Sequence, residues 1–366
     1  MPLDSASIYT NTALLKRRVN FMSKKTNTII KHWLMATLLF IISLITVFTT
    51  VAKAEEVNVY SYRQSFLVEP LFDKFTEESG IKVNVIFAKN GMAERLAREG
   101  EYSPADILLT TDISRLVELR DRNLLQANDS ALLSKNIPNQ YRATDNTWFA
   151  LTIRVRNIFS AKRLGDININ YEDLSDTKYQ GRICTRSGKH PYNVALVASM
   201  IAAHGETETL VWLKKLKANL ARKPQGGDRT QIQAIHQNLC DITVGNSYYF
   251  GNMLIDEKQK IWADAVNINF PNQSNRGVHV NISGMALAKY SPNRKNAKAL
   301  MDFLVSKPAQ QLYAHTNMEY PVRTDVEPSN LVASWGEFKT DSLSLETIAK
   351  NRQLALKLID KARFDL

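Results

Sequence analysis

Asp241-Ile242-Thr243-Val244-Gly245-Asn246-Ser247-Tyr248-Tyr249-Phe250-Gly251 reads as a short strand that turns directly into a helix. Asp241 to Val244 is apolar and β-rich, and a helix is expected from Ser247, with Ser247 as its cap. Adjacent tyrosines on a strand would face opposite sides, whereas at a turn into a helix both can point toward one cleft. Ser187-Gly188-Lys189-His190-Pro191-Tyr192-Asn193 repeats the arrangement. It follows a strand at Gly181 to Cys184 and opens a helix from Pro191 to His204, with proline in the first turn and Gly205 just past the end. Open α/β sheets bind ligands beyond the carboxyl ends of their strands, and both tyrosine segments belong there.

Upstream, strand and helix patterns alternate. Val57 to Tyr62 and Ile81 to Phe87 have period two, and Ala105 to Leu109 is an apolar run suited to a buried strand. Between and after them lie helical patterns at Leu67 to Ser79, Gly91 to Glu99 and Ile113 to Leu125. This β-α-β-α-β order predicts a doubly wound sheet. Trp148 to Arg156 is a strand leading out, and Val278 to Lys289 one that returns. Helices at Glu208 to Leu220 and Thr230 to Leu239 lie between them. Asn296 to His315 is helical with a break at Ser306-Lys307-Pro308, and Leu343 to Phe364 is a terminal helix or helix pair.

The chain has 366 residues, above the roughly 250–300 at which one core stops growing. The expected fold is therefore α/β with two lobes, each a mainly parallel sheet with flanking helices, hinged by two crossing strands. The domain expectation is residues 55–152 plus 282–330 for lobe one, 153–281 for lobe two, and C-terminal helices over 331–366 packing on both.

Residues 1–54 read as an export leader. Trp33 to Phe48 is an apolar run of signal-peptide length, preceded by Lys24, Lys25 and Lys31 and followed by Ala52-Lys53-Ala54, a small-x-small cleavage pattern. The alternative is an uncleaved anchor, for which the run is marginal in length. Translation from Met22 rather than Met1 is also open. Of the chain's +11 formal charge, the leader holds +6 (seven Lys/Arg, one Asp), leaving +5 on the mature chain. That is too dilute for a nucleic-acid surface, which needs a clustered basic stripe. In an oxidising compartment Cys184 and Cys240 suggest one disulfide; two buried free thiols are the alternative.

The tyrosines suggest a metal. A free phenol has a pKa of about 10 and is neutral at pH 7, but a trivalent cation beside a helix N-terminus can hold it as phenolate. Phenolate is a hard anionic oxygen donor, suited to Fe3+ rather than to soft divalent ions. Three of them would neutralise three charges. A chance Tyr-Tyr pair in core or rim packing is the plain alternative.

The mature chain resembles the ferric-iron-binding proteins of bacterial iron ABC importers. The resemblance is carried by Val59-Tyr60-Ser61-Tyr62-Arg63-Gln64, Ser103-Pro104-Ala105-Asp106-Ile107, Trp148 to Arg156, Tyr192-Asn193 and, most specifically, Asp241 to Tyr249. It implies a type II periplasmic-binding-protein fold, a periplasmic location and delivery of Fe3+ by a monomer to an inner-membrane ABC permease. It further implies that Tyr192, Tyr248 and Tyr249 bind the ion. Many members add a histidine and a tyrosine after the first strand, where this chain has Gln64 and Ser65. Two completions are open: Tyr62 as a further ligand, or a small anion such as carbonate held by Arg63 and Arg154, with Gln64, Asn193 and Asn246 as additional donors to the anion or supports behind the ligands. A solvated surface charge is the plain alternative for each arginine, Arg156 above all.

His190 is expected to be a cap and His279 a hinge or core residue, and Gly226-Gly227-Asp228-Arg229 reads as a turn. No clustered His/Cys zinc spacing and no Gly-x-Ser-x-Gly motif occurs. The rival functions are a related binding protein for a polyamine, thiamine, phosphonate or other oxyanion, and a tyrosine-ligated ferric oxygenase.

Overall fold

A computed structural model describes residues 32–38 and 54–366. Residues 32–38 form an exposed helical segment; the rest of the expected leader, its cleavage pattern and the question of Met1 or Met22 lie outside the described residues. Among the described residues no helix is long and apolar enough to cross a membrane.

The body over Glu55–Leu366 is built on ten strands. They are β1 (Glu56–Ser61), β2 (Lys82–Phe87), β3 (Ile107–Thr110), β4 (Leu125–Gln126), β5 (Phe149–Ala161), β6 (Ile183–Cys184), β7 (Ile242–Asn246), β8 (Val266–Asn269), β9 (Val280–Ala288) and β10 (Tyr320–Pro321). The order β2-β1-β3-β9-β5-β7-β6 runs through both lobes. Pairing is parallel for β2-β1-β3 and for β6-β7, and every antiparallel pair involves β5 or β9. Those two strands pair with each other from Phe149/Met285 to Val155/Val280 and form the crossing. β5 then continues past Arg156 to pair with β7 and β8 in the second lobe. All thirteen residues of β5 are buried, so the strand is longer than the Trp148 to Arg156 pattern suggested.

Helices of six residues or more are α1 (Glu69–Ser79), α2 (Met92–Glu99), α3 (Ile113–Asp121), α4 (Ala131–Asn136), α5 (Pro191–Ala218), α6 (Asp228–His236), α7 (Ser247–Ile255), α8 (Arg294–Leu304), α9 (Lys307–Asn317), α10 (Leu345–Lys350) and α11 (Arg352–Lys361). α3 ends at Asp121, short of Leu125, because Leu125 pairs with Ala288 as a strand. α5 joins the two helices expected around Gly205, which sits at φ 82° as a kink that a side chain would disfavour. Ser306 caps α9, whose second residue is Pro308, so the expected break separates two helices. β8 was invisible to pattern reading: Val266-Asn267-Ile268-Asn269 is a four-residue edge on β5.

Cys184, closing β6, and Cys240, just before β7, are joined by a disulfide with Cα atoms 5.8 Å apart. Both lie in the second-lobe core with Phe159, Ile232 and Phe250. The bond closes a 56-residue separation, so replacing both cysteines by serine is expected to cost about 2–4 kcal/mol, read as a lower urea midpoint of the iron-free protein.

Candidate metal centre

The two strand-to-helix turns meet across one cleft. Tyr192 is the second residue of α5 and follows Pro191, whose ring presets the first turn. His190 caps this helix, its Nδ1 accepting the Tyr192 N–H at 3.3 Å. Burial, then the nearby Arg186 charge, pushes the His190 imidazole down to about 3, so it stays neutral and keeps that acceptor.

Tyr248 and Tyr249 are the second and third residues of α7. The cap here is Asn246, contrary to the expectation for Ser247, which is the first helical residue. The Asn246 side chain makes no capping bond because its amide oxygen accepts from Arg156 instead. The first turn of α7 therefore keeps its unsatisfied N–H groups and partial positive charge near the phenols.

The Tyr192 and Tyr248 hydroxyls are 3.2 Å apart. The Tyr248 and Tyr249 rings lie with centroids 4.1 Å apart, tilted 32° to each other. An ion holding oxygen at about 2 Å needs ligand oxygens no more than about 4 Å apart, and the first pair meets that limit without movement. Burial, and then the neighbouring phenols Tyr192 and Tyr249, drives Tyr248 well above the usual phenol range. Burial and Tyr192 take Tyr249 up to about 12. Both are thus neutral without metal, and a bound cation must displace their protons.

Behind the tyrosines lies an ion pair that sequence reasoning missed. Arg156 donates to Asp228 at 2.7 Å, to the Asn246 amide oxygen at 3.0 Å and to the Asn193 amide oxygen at 2.6 Å. Asp228 also accepts the Asn246 N–H at 2.8 Å and Arg186 at 3.0 Å. Arg156 is 2% exposed and Asp228 fully buried, so the solvated arginine is not found; of the turn expected at Gly226 to Arg229, Gly226 is a bend, while Asp228 and Arg229 already belong to α6. Asp228 opens α6, and a helix-start acid after two glycines was the available signal. Asn193 and Asn246 are spent on this network, with the Asn193 amide also donating to Thr185 and to the Arg186 and Ser187 carbonyls.

Arg154 is buried with them, donating to the carbonyls of Thr111 and Ile282 and lying 5.1 Å from the centre of the Tyr192 ring. Arg63 lines the cleft but is ion-paired to buried Glu319 at 2.9 Å. Tyr62 lines it too; its hydroxyl accepts the Ala93 N–H at 3.1 Å, and Arg115 lies 3.8 Å from the ring centre. Gln64 is exposed at the same wall. His279 is a buried core residue. The cleft has an open volume of about 1570 Å³. Lys89, Arg115, Arg186 and Arg229 join Arg63 along it, and among the described residues no carboxylate lines it. Nor do three or more His, Cys, Asp or Glu side chains converge as a metal group among the described residues. The cationic lining was largely missed because its members come from five separate segments of the chain, although Arg186 immediately precedes Ser187.

Residues 57–318 match the family of bacterial extracellular solute-binding proteins. The chain is 42% identical to iron uptake protein A1 of Synechocystis sp. over 320 residues, 86% of this chain and 88% of that one. The apo ferric ion-binding protein A of Pasteurella haemolytica superimposes with a TM-score of 0.82 at 53% identity, covering 86% of this chain and 99% of that one. A Trichodesmium protein solved with iron and citrate gives 0.80 at 36% identity, covering 84% and 99%.

Removing the Asp228 carboxylate with Asp228→Ala strands two arginines and is expected to cost about 3–5 kcal/mol in chemical denaturation. Burial alone would raise the Asp228 pKa, but Arg156 and Arg186 hold it below the usual range. Its contribution is therefore present at neutral pH and is lost only as pH falls below about 4, a step the variant should lack.

Proposed function

The chain belongs to the bacterial extracellular solute-binding proteins, in the group that includes iron uptake and ferric iron-binding proteins, and from this premise we propose that it captures Fe3+ in its interlobe cleft and delivers it to a membrane importer. The observation that carries this reading is the 3.2 Å approach of the Tyr192 and Tyr248 hydroxyls, with the Tyr249 ring packed against that of Tyr248. A soft-metal site would use thiolate or imidazole; here the converging donors are phenols.

The second lobe supplies Tyr192, Tyr248 and Tyr249. Their three phenolate charges balance one ferric ion; along the wall Arg63 and Arg186 are paired to Glu319 and Asp228, whereas Lys89, Arg115 and Arg229 make no ion pair among the described residues. A small oxyanion completing the coordination offsets that surplus, and a guanidinium fork suits it. In the working cycle, ion and anion bridge the lobes and favour the closed state, which an inner-membrane ABC permease recognises in the periplasm. The protein acts as a monomer in this cycle and makes or breaks no covalent bond in the solute. Reduction or protonation releases the cargo, since Fe2+ matches phenolate poorly and acid restores the phenol.

The acid-free cationic cleft also favours a second reading, an organic oxyanion as the sole solute. It disfavours a polyamine, which would need carboxylates.

Titration of purified iron-free protein with ferric iron separates these readings. The ferric reading predicts a red to orange phenolate band saturating at one ion per chain and bleached by a reductant; a colourless protein contradicts it. Loading at pH 7 should release protons, those of Tyr248 and Tyr249 among them, so affinity falls as pH is lowered. Tyr248→Phe and Tyr192→Phe should each weaken binding by more than about 100-fold, beyond the 10–100-fold typical of a lost outer-shell partner. Tyr62→Phe tests the remaining position: an altered band assigns Tyr62 as a ligand, and an unchanged band leaves the vacancy to the anion.

A further inference from the structure

The C-terminus of the chain ends against the loop that delivers Tyr192. α11 stops at Lys361, and the chain turns through Arg363, whose φ of 52° is left-handed. The Phe364 N–H bonds to the Ile359 carbonyl at 3.1 Å and the Arg363 N–H to the Asp360 carbonyl at 2.8 Å, the paired bonds of a Schellman turn. This turn sends Phe364 inward, where it is buried, and brings Asp365 back to Ser187. The Asp365 carboxylate accepts the Ser187 hydroxyl at 2.8 Å, the Gly188 N–H at 2.7 Å and the Lys189 N–H at 3.4 Å. Gly188 is tight against the same turn: a Cβ there would lie 2.8 Å from the Phe364 ring and 3.0 Å from Ile359.

The loop is held from its other side as well. The Asn193 amide donates to the carbonyls of Arg186 and Ser187 at 3.1 and 3.2 Å. The C-terminal pair of helices is itself rooted in both lobes. α11 packs on α5, while α10 packs on α3 and on α5, with Glu346 of α10 ion-paired to Arg120 of α3. The Lys189–Asp360 pair on the surface is more than half exposed at both ends and adds little.

We propose that Asp365 is a positioning residue for Tyr192. Its carboxylate clamps Ser187, Gly188 and Lys189 from behind, and so sets where the Tyr192 hydroxyl meets that of Tyr248. This rests on the ferric reading above. An anion accepting several N–H and O–H donors makes stronger bonds than a neutral group, and a metal constellation tolerates displacements of only about 0.5 Å. Asp365 lies in a different element from every candidate ligand, so substitution there leaves the phenols themselves intact.

The test uses the full mature chain with Asp365→Ala, Asp365→Asn and Asp365→Glu, loaded with ferric iron supplied as its citrate complex. The measurements are the visible band, the rate of iron loss to a competing chelator, and the melting temperature without iron. Asp365→Ala should lose iron about tenfold faster, the scale of one lost charge-assisted contact, with a shifted band. Asp365→Asn should shift in the same direction, and Asp365→Glu should recover most of the loss. If Asp365→Ala fails to fold, the Asn variant carries the comparison. Wild-type band and release rate in both neutral variants would overturn the proposal, as would faster release explained by a matching fall in melting temperature. A wild-type protein that forms no coloured complex would instead overturn the ferric reading itself.

Discussion

Between Arg156 on β5 and Asp228 at the start of α6 runs an ion pair with both side chains out of water, and the tyrosine-bearing segments hang from it. Arg156 reaches Asn193 on α5 and Asn246 at the end of β7, while Asp228 takes the Asn246 N–H and Arg186. Burying two charges is costly, and such a pair adds little net stability over a hydrophobic replacement. Its contribution here is geometric: it fixes the roots of Tyr192, Tyr248 and Tyr249 relative to one another. The disulfide between Cys184 and Cys240 ties the same lobe one layer further back.

With that frame set, the chemistry follows from a mismatch of charge. Tyr248 and Tyr249 are neutral in the iron-free protein, because burial and the neighbouring phenols oppose their ionisation. Around them stand Arg154, Arg186 and Arg229 with guanidinium groups 5.1–5.6 Å from the tyrosine ring centres. These cations are poor company for a free metal ion and good company for phenolates and an anion. The cleft therefore suits a highly charged hard cation that brings its own anionic partner more than it suits a bare divalent ion.

Much of this was legible in the chain. Period-two and helical patterns placed β1, β2, α1 and α2 closely, because apolar residues recur there at strand or helix spacing and glycines mark the ends. Gly205 and Pro308 marked a kink and a helix start through their backbone chemistry alone. The turns carrying Tyr192 and Tyr248 were readable for the same reason, each following a short apolar run. What was hidden depends on side chains meeting from distant segments. Arg156 on a buried strand is indistinguishable in sequence from a surface charge until Asp228, 72 residues later, is brought beside it. Asn193 and Asn246 looked free to face a ligand, yet the same arginine takes both. β8 has four residues and half-polar composition, too little for periodicity to reveal.

The central claim is that three phenol oxygens of the second lobe share one ferric ion. An anomalous-difference map recorded at the iron edge on crystals of the iron-loaded protein addresses it without inference. The account predicts a single peak about 2 Å from the hydroxyl oxygens of Tyr192, Tyr248 and Tyr249 together. A peak bound elsewhere, or one that leaves any of those three hydroxyls beyond coordination distance in the closed cleft, would contradict it.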